Sequence, residues 1–182
     1  ALNFLNHASG IATLTNQFVK RCNRKTKVCC TRKTTPNLRL LEKYAVKKGG
    51  GFNHRFNLSD EILIKDNHIE ALSSQKMGLG DVVRLALEKA SHTIKIEVEV
   101  ESLDQLKEAL DAGAHIIMLD NMSVETMRQA MALVDGRAII EASGGITLDS
   151  VKSVAETGVD LISIGSLTHS SSALDISLDL EY

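Results

Sequence analysis

The chain contains no tryptophan, and phenylalanine and tyrosine bring its aromatic share to only 3%. Proteins that hold single-stranded nucleic acid stack bases on aromatic rings, so this class is disfavoured from the outset. Neither sign of charge dominates: 21 Lys and Arg face 23 Asp and Glu, a net charge of −2, which leaves no basic excess for a nucleic-acid face. No apolar run approaches the roughly 18 residues that mark a membrane span. The first residues, Ala1-Leu2-Asn3-Phe4, lack the basic start and long apolar core of a signal peptide. Cysteine occurs three times, at Cys22, Cys29 and Cys30, an odd count with no C-x-x-C. That argues against a disulfide framework and a zinc site. Reduced, buried thiols and a cytoplasmic location are expected. No G-x-G-x-x-G follows an apolar run, so the dinucleotide-binding fingerprint is missing.

The length of 182 residues and a hydrophobic share of 43% suit one domain with a substantial core. The second half is a repeat. Ile94–Glu99, Ile116–Asp120, Ala138–Ala142 and Leu161–Gly165 read as buried strands rich in Ile and Val. Between them, helices open at Ser102, Ser123 and Thr147 and stop at Gly113, Gly136 and Gly158. Glu99, Asp120 and Glu141 are spaced by 21 residues, and Ser163 follows 22 later. A strand plus a helix at steady period predicts parallel strands with helices outside. The first half is less regular, with a helix near 2–21, strand 28–31, helix 36–48, a turn at Gly49-Gly50-Gly51 and strand 61–65. Six or seven strands fall short of the eight that a closed barrel of about 250 residues needs. The predicted fold is therefore α/β, an open, incomplete (β/α) barrel in one domain over residues 1–182.

Polar residues sit at the ends of these strands, where a barrel gathers its loops into one mouth. Thr31-Arg32-Lys33-Thr34-Thr35-Pro36 places two cations before a helix start at Thr35-Pro36. Arg32 and Lys33 would point to opposite faces of an extended strand, so both reach one pocket only if the second lies in the turn. Asn53-His54-Arg55 and Lys65-Asp66-Asn67-His68 add two further cationic clusters. Together they predict a pocket for an anionic small molecule. Lys65 ends the apolar run Ile62-Leu63-Ile64, and its position fits either a Schiff-base nucleophile or a clamp on phosphate or carboxylate. Glu97, Glu99 and Glu101 alternate and so share a face, where they need cations or a metal such as Mg²⁺. Glu99 and Asp120, one repeat apart, make a divalent-metal pair. Ser143-Gly144-Gly145 and Gly165-Ser166 fit a two-loop phosphate site, since glycine lets backbone N–H groups approach an anion. Met127 and Met131 are core at helical spacing, and His7, His92 and His115 are not read as ligands.

Taken together and in order, these motifs, with Leu119-Asp120-Asn121, Ala142-Ser143-Gly144-Gly145-Ile146 and Gly165…His169, resemble the quinolinate phosphoribosyltransferase family, the decarboxylating nicotinate-nucleotide pyrophosphorylases. The resemblance runs from residue 1 to about residue 178. It implies a type II phosphoribosyltransferase-like open barrel, Mg²⁺ as cofactor, a homodimer or higher homo-oligomer, and quinolinate and phosphoribosyl pyrophosphate as substrates. The implied products are nicotinate mononucleotide, pyrophosphate and CO₂, a step of NAD biosynthesis. By the same resemblance Arg32, Lys33, His54 and Arg55 bind the pyridine dicarboxylate, and Lys65 is shared between the substrates. Glu99 and Asp120 hold Mg²⁺ and the ribose hydroxyls, with Lys65, Glu99 and Asp120 as the catalytic group. Ser143, Gly144, Gly145, Gly165 and His169 line the phosphate end. Charge-assisted hydrogen bonds contribute about 1.5–3 kcal/mol each, so several cations for two carboxylates are reasonable.

The resemblance also implies an N-terminal domain that this chain lacks, with an arginine just before the segment matching Ala1. Part of a longer protein is thus expected, inactive or weakly active by itself. Other readings are a Schiff-base aldolase using Lys65, a non-catalytic anion-binding or assembly fragment, and a paralogue with another acceptor.

Overall fold

The computed structural model describes residues 1–23, 25–74 and 76–181. Six strands alternate with helices: α1 (Leu2–Arg21), β1 (Lys27–Cys29), α2 (Arg39–Lys48), β2 (Glu61–Ile64), α3 (Asp66–Ser73), α4 (Leu79–Lys89), β3 (Lys95–Val100), α5 (Leu103–Ala112), β4 (Ile116–Asp120), α6 (Val124–Val134), β5 (Ile139–Ser143), α7 (Val151–Ala155), β6 (Leu161–Ser163) and α8 (Ser166–His169). The strands form one sheet in the order β1-β6-β5-β4-β3-β2, with every pair parallel. A single parallel bridge sets Phe52 beside Cys29 at the outer edge of β1, a rudiment of a seventh strand. Among the described residues no pairing joins β1 to β2, so the barrel is open, as the strand count predicts. No helix of the described chain is long and apolar enough to cross a membrane.

The strand periodicity divides this sheet into two chemically different faces. Ile96, Val98, Val100, Ile117, Leu119, Ile140, Ala142 and Ile162 are buried and face the helices. The alternate positions Leu63, Glu97, Glu99, Met118, Glu141 and Ser163 look into the barrel. A closed barrel fills this interior with apolar layers. Here it is largely polar.

Ser102 caps α5 by accepting the Gln105 N–H at 3.2 Å, and Ser123 caps α6 by accepting the Thr126 N–H at 3.1 Å. Glu101 lies beyond Val100, the last residue of β3, and is exposed, so only Glu97 and Glu99 share the inward face. Helix α2 starts at Arg39 rather than Thr35-Pro36, because Thr35 and Pro36 belong to a turn in which Asn37 takes φ 66°. Helices α3 and α4 fill the stretch after β2 that the apolar pattern leaves unread. In α3 the His68 ring accepts the Lys65 N–H at 3.0 Å, so His68 caps a helix rather than joining the cations of the mouth.

The histidines set aside from sequence are structural or exposed. His115 Nδ1 accepts the Ile96 N–H at 3.0 Å, His92 is exposed, and His7 lies 2.9 Å from buried Glu42. Cys29 and Cys30 are buried and no cysteine is in a disulfide.

Candidate active site

A cleft of about 790 Å³ opens at the C-terminal ends of the strands. Twelve of the residues named from sequence line it: Arg32, Lys33, His54, Arg55, Lys65, Glu99, Asp120, Ser143, Gly144, Gly145, Gly165 and His169. The loop geometry explains how Arg32 and Lys33 share it. Strand β1 ends at Cys29, so alternation no longer applies at Arg32, three residues later. The loop is held from three sides. Thr31 Oγ1 accepts the Lys33 N–H at 3.0 Å, Thr168 Oγ1 donates to the Lys33 carbonyl at 2.7 Å, and Glu42 Oε2 accepts the Thr35 N–H at 3.1 Å.

The two cations then turn to different neighbours. The Arg32 guanidinium is drawn below its ordinary value by partial desolvation and by the like charges of Arg39 and Arg55, with Asp60 opposing. Its Nε is buried without a hydrogen-bond partner. Lys33 instead lays its stem over Gly165, beside His169; a Cβ on Gly165 would come within 3.3 Å of Lys33 Cδ and 3.1 Å of His169 Nε2. Arg55 is steadied by its Nη1 bond to the Glu61 carbonyl at 3.2 Å. Asp60 ties down the following turn by accepting the Phe56 N–H at 2.7 Å.

Lys65, just past β2, forms an ion pair with Glu99 of β3. Asp120, at the end of β4, accepts the Asn121 side-chain amide at 2.8 Å. Gly144 takes φ 93°, and a Cβ there would overlap the Asn121 side chain, so only glycine lets the β5 loop lie this close to the β4 loop. Gly145 follows at φ 58° with open space around it, toward the cleft. The two inward carboxylates of Glu99 and Asp120 are hard oxygen donors at the mouth of the barrel. Mg²⁺ is typically held by one or two carboxylates completed by substrate phosphates and water, so these two residues fit it.

The floor of the cleft departs from the sequence-based picture. His54 does line the cleft, yet both ring nitrogens face groups of the chain itself. Nδ1 accepts the Arg55 backbone N–H at 2.8 Å, and Nε2 lies 3.1 Å from Glu97 Oε2 and 3.7 Å from Glu141 Oε2. Burial pushes the Glu97 carboxyl up to about 7. Burial and then the charge of Glu97 push Glu61 to about 7 and Glu141 to about 8. Ligand atoms of His54, Glu61 and Glu97 also lie within 4.8 Å of one another. From sequence, Glu97 calls for a cation or a metal as its partner; the structure sets it beside the His54 ring instead. Glu61 and Glu141 join the site only in the folded chain. For Glu141 a signal was present: it occupies the same place in the repeat as Glu99 and Asp120.

Residues 11–179 match the quinolinate phosphoribosyl transferase, C-terminal domain, family. A Bacillus subtilis protein named as a probable nicotinate-nucleotide pyrophosphorylase [carboxylating] is 50% identical over 98% of this chain and 61% of its own length. A Nicotiana tabacum quinolinate phosphoribosyltransferase [decarboxylating] 2b, mitochondrial, is 42% identical over 99% of this chain and 55% of its own. The solved structure of NadC from Streptococcus pyogenes superposes with a TM-score of 0.90 at 50% identity, covering 96% of this chain and 60% of that one. The chain thus spans about 60% of the length of such relatives.

Proposed function

Since the chain belongs to the quinolinate phosphoribosyl transferase family, which it matches in the C-terminal domain, we propose that it carries the site at which quinolinate and phosphoribosyl pyrophosphate become nicotinate mononucleotide, pyrophosphate and CO₂. The observation that carries this reading is one cleft with three chemically distinct walls. Arg32 and Arg55 form a cationic wall, Glu99 and Asp120 an acidic one, and the loops at Gly144-Gly145 and Gly165 a glycine-rich one. Two substrates, one a dicarboxylate and one a phosphorylated sugar, need these three environments side by side.

Arg32 and Arg55 meet the pyridine carboxylates, and Lys33 reaches from the same loop toward the phosphate end, over Gly165. Ser143, Gly144, Gly145 and His169 receive phosphate. Departure of pyrophosphate leaves positive charge on the ribose ring, which the fixed carboxylates of Glu99 and Asp120 stabilise electrostatically. Glu99 and Asp120 would hold Mg²⁺, which when bound supplies neutralising charge for the pyrophosphate oxygens. Lys65 orients Glu99 through their ion pair. Once ribosylated, the ring nitrogen is cationic and accepts the electron pair released as CO₂ leaves. No other cofactor is required. A homodimer or higher assembly and a cytoplasmic setting belong to the same proposal.

The Schiff-base reading of Lys65 has less support. A lysine nucleophile is activated by a dry apolar pocket or a neighbouring cation. The Lys65 side chain is 41% exposed and its neighbour is a carboxylate.

The test is turnover by the full-length protein with quinolinate labelled in its 2-carboxylate. Labelled CO₂ and pyrophosphate are expected in equal amounts. Release of pyrophosphate with a monocarboxylate acceptor at an equal rate would point to a paralogue. Binding of quinolinate without turnover would leave only an anion-binding fragment.

A further inference from the structure

Helix α2 carries two cations that lie outside the cleft and bond into both loops of its cationic wall. Arg39 Nε donates to Thr34 Oγ1 at 3.0 Å, and its Nη1 donates to the Phe56 carbonyl at 3.2 Å. One turn on, the Lys43 ammonium donates to Cys30 Sγ at 3.2 Å and to the His54 carbonyl at 2.9 Å. Cys30 and Thr34 stand on either side of Arg32, and His54 and Phe56 on either side of Arg55. Each cation thus makes one bond to the Arg32 loop and one to the Arg55 loop, and together they flank both arginines. Neither Arg39 nor Lys43 lines the cleft.

Local energetics explain why such ties are needed. Burial and then the like charges of Arg39 and Arg55 act on Arg32, so the two loops repel each other unless something joins them. Lys43 is 2% exposed, and an ammonium is costly to bury. Its partners, a thiol and a carbonyl, are neutral, and an apolar side chain would fill the same space at less cost. What an apolar side chain could not supply is a pair of hydrogen bonds to two separate loops. The Cys30 thiol continues the line by donating to Asn53 Oδ1 at 3.4 Å.

We propose that Arg39 and Lys43 are positioning residues: they set the separation of Arg32 and Arg55, and with it the preference of the site for an acceptor whose two carboxylates sit on adjacent ring carbons. This rests on the function proposed above and deepens it. A rigid dicarboxylate reads the distance between two guanidinium groups, and a misplacement of about 1 Å in such a site costs up to about 100-fold. Specificity is a difference of affinities, so loosening the arginine pair weakens quinolinate more than an isomer that never matched its spacing. The phosphoribosyl donor, held at the glycine loops, keeps its affinity.

The experiment uses the full-length protein and the variants K43M, R39M and R39K. K43M keeps an unbranched stem and removes its donors, while R39K keeps the charge but not the planar fork that reaches Thr34 and Phe56 together. In calorimetry K43M and R39M should bind quinolinate about 10- to 100-fold more weakly, with a smaller loss for pyridine-2,4-dicarboxylate and none for the phosphoribosyl donor. R39K should follow R39M. An R39K that binds like the parent would show that charge alone matters and overturn the proposal, as would equal losses for quinolinate, its isomer and the donor. Hydrogen exchange on the ligand-free proteins supplies a reading that needs no substrate. The amides of Lys33, Thr34, Arg55 and Phe56, each bonded within its loop, should exchange about tenfold faster or more in K43M, while those of β4 and β5 keep the parent rate. Unchanged loop exchange would sink the idea. R39M carries both measurements should K43M not fold. If the parent binds neither dicarboxylate the functional reading fails, while the exchange rates still decide whether the two cations hold the loops.

Discussion

Lys65 and Glu99 form an ion pair between the ends of neighbouring strands, one step beyond the Ile64–Val98 register. Because β2 and β3 are parallel and in register, the two side chains reach the mouth of the barrel at the same height. The pair places a cation and a carboxylate within one small region of the cleft, and it ties the edge strand β2 to the acidic wall.

Lys65→Arg in the full-length protein should keep appreciable turnover, since it preserves the cation beside Glu99. Lys65→Ala should lower turnover about 10- to 100-fold, the equivalent of one charge-assisted interaction. Steady-state kinetics with both substrates varied checks this, and loss of all activity in Lys65→Arg would favour a Schiff-base lysine.

Arg32 and Lys33 are adjacent in sequence but have different neighbours, Arg39 and Arg55 for the one and Gly165 for the other. Arg32→Ala should weaken quinolinate binding about tenfold or more while leaving the phosphoribosyl donor nearly unchanged. Lys33→Ala should weaken both, because its stem lies over Gly165 beside His169. Calorimetric titration of each ligand measures the difference; a Lys33→Ala effect confined to quinolinate would show that Lys33 serves only the dicarboxylate.

Gly144→Ala combines φ 93° with a collision against Asn121, and should cost about 1–3 kcal/mol. Gly136→Ala, at φ 74° with open space around it, carries the backbone strain without the collision. Thermal melts should therefore rank Gly144→Ala below Gly136→Ala, and only Gly144→Ala should also lose donor affinity.

The floor carboxyls set a pH dependence of stability opposite in sign to that of a salt-bridged carboxylate. Glu141 rises from 4.5 to about 8 and Glu97 to about 7 on folding. Between 4.5 and these values the folded state holds more protons than the unfolded one, so stability falls as pH rises through that window. The cost is absent below the unfolded value and complete above the folded one, on the order of a few kcal/mol. Glu141→Gln should flatten this slope in denaturant titrations run from acid to about pH 9. An unchanged slope would show that Glu141 is ionised in the folded protein.

The parallel repeat of the second half was legible because Ser102 and Ser123 open helices at fixed distance from runs of Ile and Val, and Gly113 closes one with φ 89°. Helices α3 and α4 were not, since α3 buries little and its apolar stripe is interrupted. His68 looked like part of a cationic cluster because proximity in sequence does not reveal that its ring caps α3.

Residue types and spacing alone determined a parallel open barrel and most of the residues at its mouth, while His169 was placed there only through the family resemblance. Strand ends converge in any such sheet, and cations, carboxylates and glycines at those ends must therefore meet. Only the tertiary structure decided what lies beneath. Whether Glu97 faces Lys65, a metal or an imidazole depends on which residues from distant strands and loops fill the same interior layer. That layer is set by strand register and loop path: Glu61, Glu97 and Glu141 come from three strands and His54 from a loop, and no local pattern in the chain encodes their meeting.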